Sequence, residues 1–270
     1  MTSLSLNDAP IGVMDSGVGG ISVLKHIHAT LPHENLIYFA DSKYAPYGNK
    51  TSAQIERRVF SCAKFLLTHG AKALVIACNT ATAAAAQSLR DKYAFLDIPI
   101  IAMEPAVKPA AAASKNGTIG VLATVGTLKS AQFAALLENY GREVQVVTQA
   151  CIGLVECIER GELNTTETKA LLTQYCEPLL KAGADTIVLG CTHYPFVKEL
   201  IQEIVGKDIS LIDTGAAVAK HLRHRLEETH LLSSSNMAAD ITIWTNSKDS
   251  HAEQVIEALW GNAIKVYRRP

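Results

Sequence analysis

The sequence predicts an α/β protein made of two similar parallel-sheet domains related by internal duplication, with a site between them. Two observations carry this. Short apolar, β-rich runs alternate with longer segments of helical period, the pattern of parallel strands joined by crossover helices. Three strand-and-turn segments also recur in the same order at nearly one offset. Length permits it, since 270 residues suffice for two modest domains that together bury roughly 75% of the unfolded surface.

Taken in order, the expected strands are Ile11–Asp15, Leu36–Ala40, Ala73–Ala77, Ile98–Ala102, Ile119–Ala123, Glu143–Val147, Thr186–Leu189, Ser210–Ile212, Asp240–Trp244 and Ile264–Tyr267. Each is a run of three to five mostly apolar residues next to turn-forming or polar residues. The expected helices are Ile21–Leu31, Ala53–Thr68, Thr80–Tyr93, Pro105–Ser114, Leu128–Asn139, Thr166–Ala182, Pro195–Val205, Ala216–His230 and Ala252–Leu259. All carry apolar residues at three- and four-residue spacing. A further helix follows Cys151, and Ser233–Ser235 reads as a surface turn.

The repeat pairs Ile11-Gly-Val-Met-Asp with Ile119-Gly-Val-Leu-Ala, an offset of 108 residues. Ala73-Leu-Val-Ile-Ala-Cys78 pairs with Thr186-Ile-Val-Leu-Gly-Cys191 at 113, and Ile98-Pro-Ile-Ile-Ala with Ile209-Ser-Leu-Ile-Asp at 111. The domains implied are 1–100 plus 211–270 for the first, completed by the two returning C-terminal strands, and 101–210 for the second.

Composition narrows the function. Lys+Arg number 25 and Asp+Glu 26, and no basic cluster exceeds a pair, so nucleic acid is not an expected partner. No apolar run reaches about 18 residues, which argues against a membrane span. The first residues lack the basic and apolar regions of a secretory signal. Six cysteines without a CxxC pair suit a reducing, cytoplasmic setting better than a disulfide framework or zinc ribbon.

In parallel sheets, ligands bind at the carboxyl ends of strands. Here those ends carry Asp15-Ser16-Gly-Val-Gly-Gly, Asp41-Ser-Lys-Tyr-Ala-Pro-Tyr47-Gly48, Cys78-Asn79-Thr80, Thr124-Val-Gly-Thr127 and Cys191-Thr192-His193. Such small, hydroxyl- and amide-rich segments suit a compact ligand with carboxylates. Cys78 and Cys191 occupy matching positions after buried strands, where a helix N-terminus lowers a thiol pKa. Two facing halves with one thiol each place an acid and a base on opposite sides of a bound carbon, which is what inversion of a stereocentre requires. Asp15 is expected to tune Cys78, and His193 to tune Cys191. Glu156 reads on its own as a solvated helix residue, and Cys62, Cys151, Cys157 and Cys176 as structural.

The segments IGVMDSGVGGISVL, YFADSKYAPYGNK, VIACNTATA, IGVLATVGT, VLGCTHYPF and DTGAA resemble the glutamate racemase family across nearly the whole chain. The resemblance implies cofactor-independent interconversion of L- and D-glutamate for peptidoglycan synthesis, by a cytoplasmic and usually dimeric enzyme of two α/β domains, with no metal. By motif it implies Cys78 and Cys191 as the proton donor and acceptor, assisted by Asp15, Glu156 and His193. It further implies Asp15, Ser16, Tyr47, Gly48, Asn79, Thr80, Thr192 and His193 as the substrate-holding residues. Asp41 stands at another position that the family keeps acidic. Glu104-Pro-Ala-Val-Lys108-Pro-Ala resembles the branch in which a cell-wall precursor acts as activator, although the N-terminal extension of that branch is short here.

Four other readings compete. A nucleotide-binding oxidoreductase fails on Ser22, which stands where GxGxxG needs its third glycine, and on Asp15, a carboxylate beside the pyrophosphate. A zinc hydrolase using Cys78, Cys191, His193 and Asp15 has acceptable ligand types but only one close-spaced pair. A two-lobed amino-acid-binding protein has no need of paired thiols. An aspartate racemase shares the two-thiol chemistry and differs in pocket length.

Overall fold

Ten parallel strands in two sheets organise the computed structural model, which describes residues 6–269. In chain order the elements are β1 (Ile11–Asp15), α1 (Ile21–Thr30), β2 (Leu36–Ala40), α2 (Ser52–Thr68), β3 (Ala73–Ile76), α3 (Asn79–Tyr93) and β4 (Ile100–Ala102). There follow α4 (Val107–Ala113), β5 (Thr118–Ala123), α5 (Val125–Leu128), α6 (Ala131–Tyr140), β6 (Gln145–Ala150), α7 (Leu154–Glu159), α8 (Thr166–Lys181) and β7 (Thr186–Leu189). The chain ends with α9 (Lys198–Val205), β8 (Ser210–Ile212), α10 (Gly215–Glu228), β9 (Ile241–Thr245), α11 (Ala252–Trp260) and β10 (Val266–Arg268).

The first sheet has the order β10-β9-β2-β1-β3-β4 and the second β6-β5-β7-β8. The quartet β2-β1-β3-β4 repeats as β6-β5-β7-β8, so the duplication seen in the sequence is also a duplication of strand order. Sheet membership moves the expected boundaries slightly. Residues 101–102 of β4 pair in the first sheet with β3, and residues 211–212 of β8 pair in the second with β7. The crossings therefore fall after Ala102 and after Ile212, because each boundary strand completes its own sheet before the chain leaves it.

Each sheet is covered on both faces, the arrangement that nearly continuous apolar strands require. Period-two alternation sends Ile11 and Val13 of β1 towards α1, α10 and α11, where Leu24, Ile27, Leu222 and Ile256 are buried. Met14 faces α2 and α3 on the other side, among Val59, Leu66 and Leu89. In the second sheet Ile187 and Leu189 meet α8 and α9, while Val121 and Val188 meet α4 and α6. Full burial of a leucine such as Leu24 is worth about 1.5–3 kcal/mol before chain entropy is counted.

Local chemistry accounts for the departures from expectation. The run Leu128–Asn139 divides into α5 and α6 because Thr124 and Ser130 each cap a separate helix, accepting from Thr127 N at 3.2 Å and Phe133 N at 3.1 Å. Before α9, the chain makes a 3₁₀ turn over Tyr194–Val197, with Pro195 in its first turn. Strand β6 runs two residues later at its start than Glu143, in register with β5 from Thr118↔Gln145 to Ala123↔Ala150. Ser233–Ser235 lies in an irregular segment, tied by Ser233 N to Glu34 Oε1 at 2.7 Å.

Candidate active site

Both thiols follow the carboxyl ends of corresponding strands, β3 and β7, and both are buried. Cys78 caps α3, its Sγ accepting from Ala81 N at 3.4 Å and donating to Ser16 Oγ at 3.7 Å. Despite that helix terminus, its pKa stands well above the ordinary thiol value. Burial pushes it up, and the negative charge of Asp15 adds to the effect. The expectation of a lowered thiol pKa is thereby corrected for Cys78, because desolvation in a dry site outweighs the amide and the helix end. Cys191 departs from expectation differently, since a turn and not an α-helix follows it. Its neighbour is instead the imidazole of His193, with Nδ1 3.6 Å from Sγ.

His193 is 1% exposed, and its Nε2 donates to Glu159 Oε1 at 2.6 Å. Burial alone would depress its pKa, yet the hydrogen bonds to Cys191 and Glu159, with their charges, hold it well above the usual histidine value. Glu159 is in turn fixed from the first half, accepting from Val18 N at 2.7 Å and Ser42 Oγ at 3.2 Å. Two glycines allow these approaches. A Cβ at Gly17 would stand 1.8 Å from Glu159 Oε1, and one at Gly19 would stand 2.2 Å from His193 Nδ1.

Asp15 ends β1 and is buried, with its pKa raised by that burial. Its Oδ2 accepts from Gly17 N at 3.3 Å and Gly20 N at 3.0 Å, which folds the loop before α1. Its Oδ1 accepts long contacts from Ser16 Oγ and Thr192 Oγ1, both at 3.5 Å, so the carboxylate touches both halves. One thiol therefore lies in the field of a carboxylate and the other against an imidazolium.

Around the thiols stands a set of small polar groups. Asn79, the first residue of α3, is buried with neither its amide nitrogen nor its oxygen partnered. Buried polar atoms of this kind are costly to leave unmatched. Thr80 Oγ1 lies 2.8 Å from Thr124 Oγ1 and 3.1 Å from Thr127 Oγ1, a hydroxyl cluster that spans the two halves. Gly48 packs on Thr124, to whose Cβ an added Cβ would come within 2.9 Å.

Two expected residues have other partners. Glu156 lines a cavity of about 100 Å³ with Pro46, Gly48, Thr124 and Cys151. The carboxylate that reaches His193 is Glu159, one turn further along the same face of α7. Residues three apart on a helix share a face, so the helix was legible and the choice between its two carboxylates was not. Tyr47 spends its hydroxyl on Asp41 Oδ2, at 2.5 Å. Asp41 also takes Arg58 Nε at 2.9 Å and Nη2 at 2.6 Å, and Asn246 Nδ2 at 2.6 Å. Asp41 is thus the post to which the Tyr47–Gly48 loop is tied. Neither Arg58, Asn246, Ser42 nor Glu159 was picked out from the sequence.

Comparison with known proteins agrees with this geometry. Residues 11–222 match the family model described as Asp/Glu/Hydantoin racemase. A glutamate racemase of Pseudomonas paraeruginosa is 54% identical over 97% of this chain and 98% of its own. The crystal structure of a glutamate racemase isoform from Bacillus anthracis superposes with a TM-score of 0.88 at 33% identity, covering 98% of both chains. That of the Escherichia coli glutamate racemase, in complex with L-glutamate and the activator UDP-MurNAc-Ala, gives 0.85 at 31% identity over 96% of this chain and 97% of the other. The fold and these relatives make the chain an amino-acid racemase, an isomerase that inverts a stereocentre. The chain belongs to the Asp/Glu/hydantoin racemase family.

Proposed function

We propose that the protein interconverts L- and D-glutamate by proton transfer between two cysteines, without a cofactor, and so supplies D-glutamate for peptidoglycan synthesis. The observation that carries this reading is the pair of buried thiols at equivalent strand ends of the two halves, one beside Asp15 and the other beside His193. Held between them, the substrate loses its α-proton to the thiolate of one cysteine as the thiol of the other delivers a proton to the opposite face. The first sulfur ends as a thiol and the second as a thiolate. For the direction in which Cys191 is the base, the imidazolium of His193 stabilises its thiolate, while Cys78, kept protonated by burial and Asp15, is the acid. The reverse direction exchanges the roles.

The unpartnered amide of Asn79 and the hydroxyls of Ser16, Thr80 and Thr192 supply the donors and acceptors for the substrate's carboxylates and ammonium. The resemblance gives Glu156 an assisting role, and its place at the small cavity beside Thr124 favours one at the substrate entrance. Aspartate, the alternative substrate, draws no support from the relatives, which are named for glutamate at up to 54% identity.

Isotope transfer in heavy water tests the two-base core of the proposal. Product formed early from either enantiomer should carry deuterium at the α-carbon, while remaining substrate keeps its hydrogen. Product that retains the original hydrogen would require one group to serve both faces and would overturn the opposed-thiol mechanism. The proposal also includes a homodimer, which sedimentation velocity measures, and a cell-wall-precursor activator. Glu104 of the activator-like segment lines a cavity of about 510 Å³ with Arg90, Gln132 and His221. A rise in turnover on adding UDP-MurNAc-Ala would support activation, and unchanged turnover would remove it.

A further inference from the structure

At the far edge of the first sheet, the carboxyl ends of β2, β9 and β10 surround a second cavity, of about 460 Å³, that the racemase chemistry does not use. Its lining includes five cations, Lys43, Arg58, Lys248, Arg268 and Arg269, together with Ser61, Asn246 and Ser247, and no carboxylate. For a chain of net charge −1, this is a strong local concentration of positive charge. A concave wall of one sign focuses the field on whatever enters.

Two of the five cations are neutralised. Arg58 pairs with the buried Asp41, and Arg268 Nε meets Glu253 at 2.6 Å. Among the described residues, Lys43, Lys248 and Arg269 have no carboxylate within ion-pair distance. Three like charges around one cavity repel one another, and an entering anion removes that cost. The guanidinium groups are also held in place beforehand. Arg58 stacks on the Tyr44 ring at 3.8 Å, and Arg269 lies 4.9 Å from the Phe65 ring centroid while its backbone N donates to Thr245 O at 2.8 Å. Arg58 spends its Nε and Nη2 on Asp41, so the held guanidinium left open to phosphate oxygens is that of Arg269, and holding it beforehand lowers the entropy lost on binding.

We infer that this cavity is a binding site for a small anion bearing at least two adjacent phosphate groups. Three unpaired cations call for more than one negative charge. A cavity of this size suits a small molecule, whereas a nucleic acid needs an extended stripe. The site is separate from the thiol pair and from the Arg90 cavity, and it stands independently of the choice of glutamate as substrate.

The probe is inorganic pyrophosphate, titrated calorimetrically into the purified protein at low ionic strength. One site per chain is expected, with affinity falling as salt rises. The double variant Lys248→Ala/Arg269→Ala should bind at least tenfold more weakly while keeping the wild-type melting temperature and racemase activity. Lys248→Ala alone, at an exposed position, should weaken binding in the same direction and serves if the double variant does not fold. Arg90→Ala should leave the isotherm unchanged. Absence of binding, equal binding by the Lys248 and Arg269 variants, weakened binding by Arg90→Ala, or tighter binding of citrate than of pyrophosphate would each overturn the assignment.

Discussion

His193 keeps a positive charge where burial alone would remove it, and the interactions that hold the charge are also those that position Cys191. Replacing Glu159 by Gln removes the charge behind the shorter of its two hydrogen bonds, 2.6 Å against 3.6 Å to Cys191. The imidazole pKa should fall, so the alkaline limb of the rate profile should move to lower pH, whereas Glu156→Gln should leave that limb in place. Stability follows the same linkage. A folded-state pKa above the unfolded value of ~6.5 contributes stability that is complete below that value and is lost as pH rises through the folded one. The stability difference between the native chain and Glu159→Gln should therefore be largest near pH ~6 and shrink in alkaline solution, as urea titrations at several pH values would measure. At the thiols, Cys78→Ala and Cys191→Ala should each lower turnover by at least ~10²–10⁴-fold with the fold intact. Near-normal turnover in either would remove that cysteine from the chemistry. Cys78, Cys191, Asp15 and His193 could be picked out as candidates from the sequence because each stands at the carboxyl end of a repeated strand or within four residues of it. Glu159 could not, because its partner lies 34 residues away on another element. Asp41 was visible, but the Asn246 that holds it comes from 205 residues further along the chain.

Among the elements, the loop between β1 and α1 is the most constrained by its neighbours. Gly19→Ala would drive a methyl into the His193 ring. It should cost ~1–3 kcal/mol through overpacking and depress kcat as the imidazole is displaced, which thermal melts and steady-state kinetics would resolve together. Helix α2 begins with a reciprocal cap. Thr51 Oγ1 accepts from Gln54 N at 3.3 Å while Gln54 Oε1 accepts from Thr51 N at 3.0 Å. Thr51→Ala should cost about 1 kcal/mol without changing turnover, since the cap stands at the exposed start of α2. Strands were legible where apolar runs stop at a sharp polar boundary, as at Ile11–Asp15 and Thr186–Leu189, both found at their expected limits. Limits moved where a side-chain cap or the register of a neighbouring strand decides them, as in α5, α6 and β6. Hydrophobic periodicity carries neither of those signals.

For the whole molecule, a buried ion pair fastens the amino-terminal side of the first sheet. Lys72, just before β3, meets Glu34 at 2.5 Å with both side chains almost wholly buried, and the ammonium also bonds the Asn7 carbonyl. Glu34 Oε1 in turn accepts from Ser233 N. Lys72→Met should cost ~3–5 kcal/mol because it strands a buried carboxylate, and Lys72→Met/Glu34→Leu should recover much of that loss. Chemical denaturation of the three proteins would show it. Two α/β halves were legible at this scale because strand order repeats with the sequence. How they meet was not, since that depends on Glu159, Thr80, Thr124 and Thr192 crossing between elements that periodicity treats one at a time.

Strand β2 lies between β1 and β9 in the finished sheet, yet β9 begins at residue 241. During synthesis the whole second half leaves the ribosome first. At ~5–20 residues per second, β2 waits roughly ten to forty seconds with its outer row of amides and carbonyls open. For that interval an interior strand has the exposure of a sheet edge, the part of a β structure most prone to pairing with the wrong chain. The nascent protein is therefore most vulnerable to aggregation along Leu36–Ala40, a stretch that is almost entirely buried once β9 has docked.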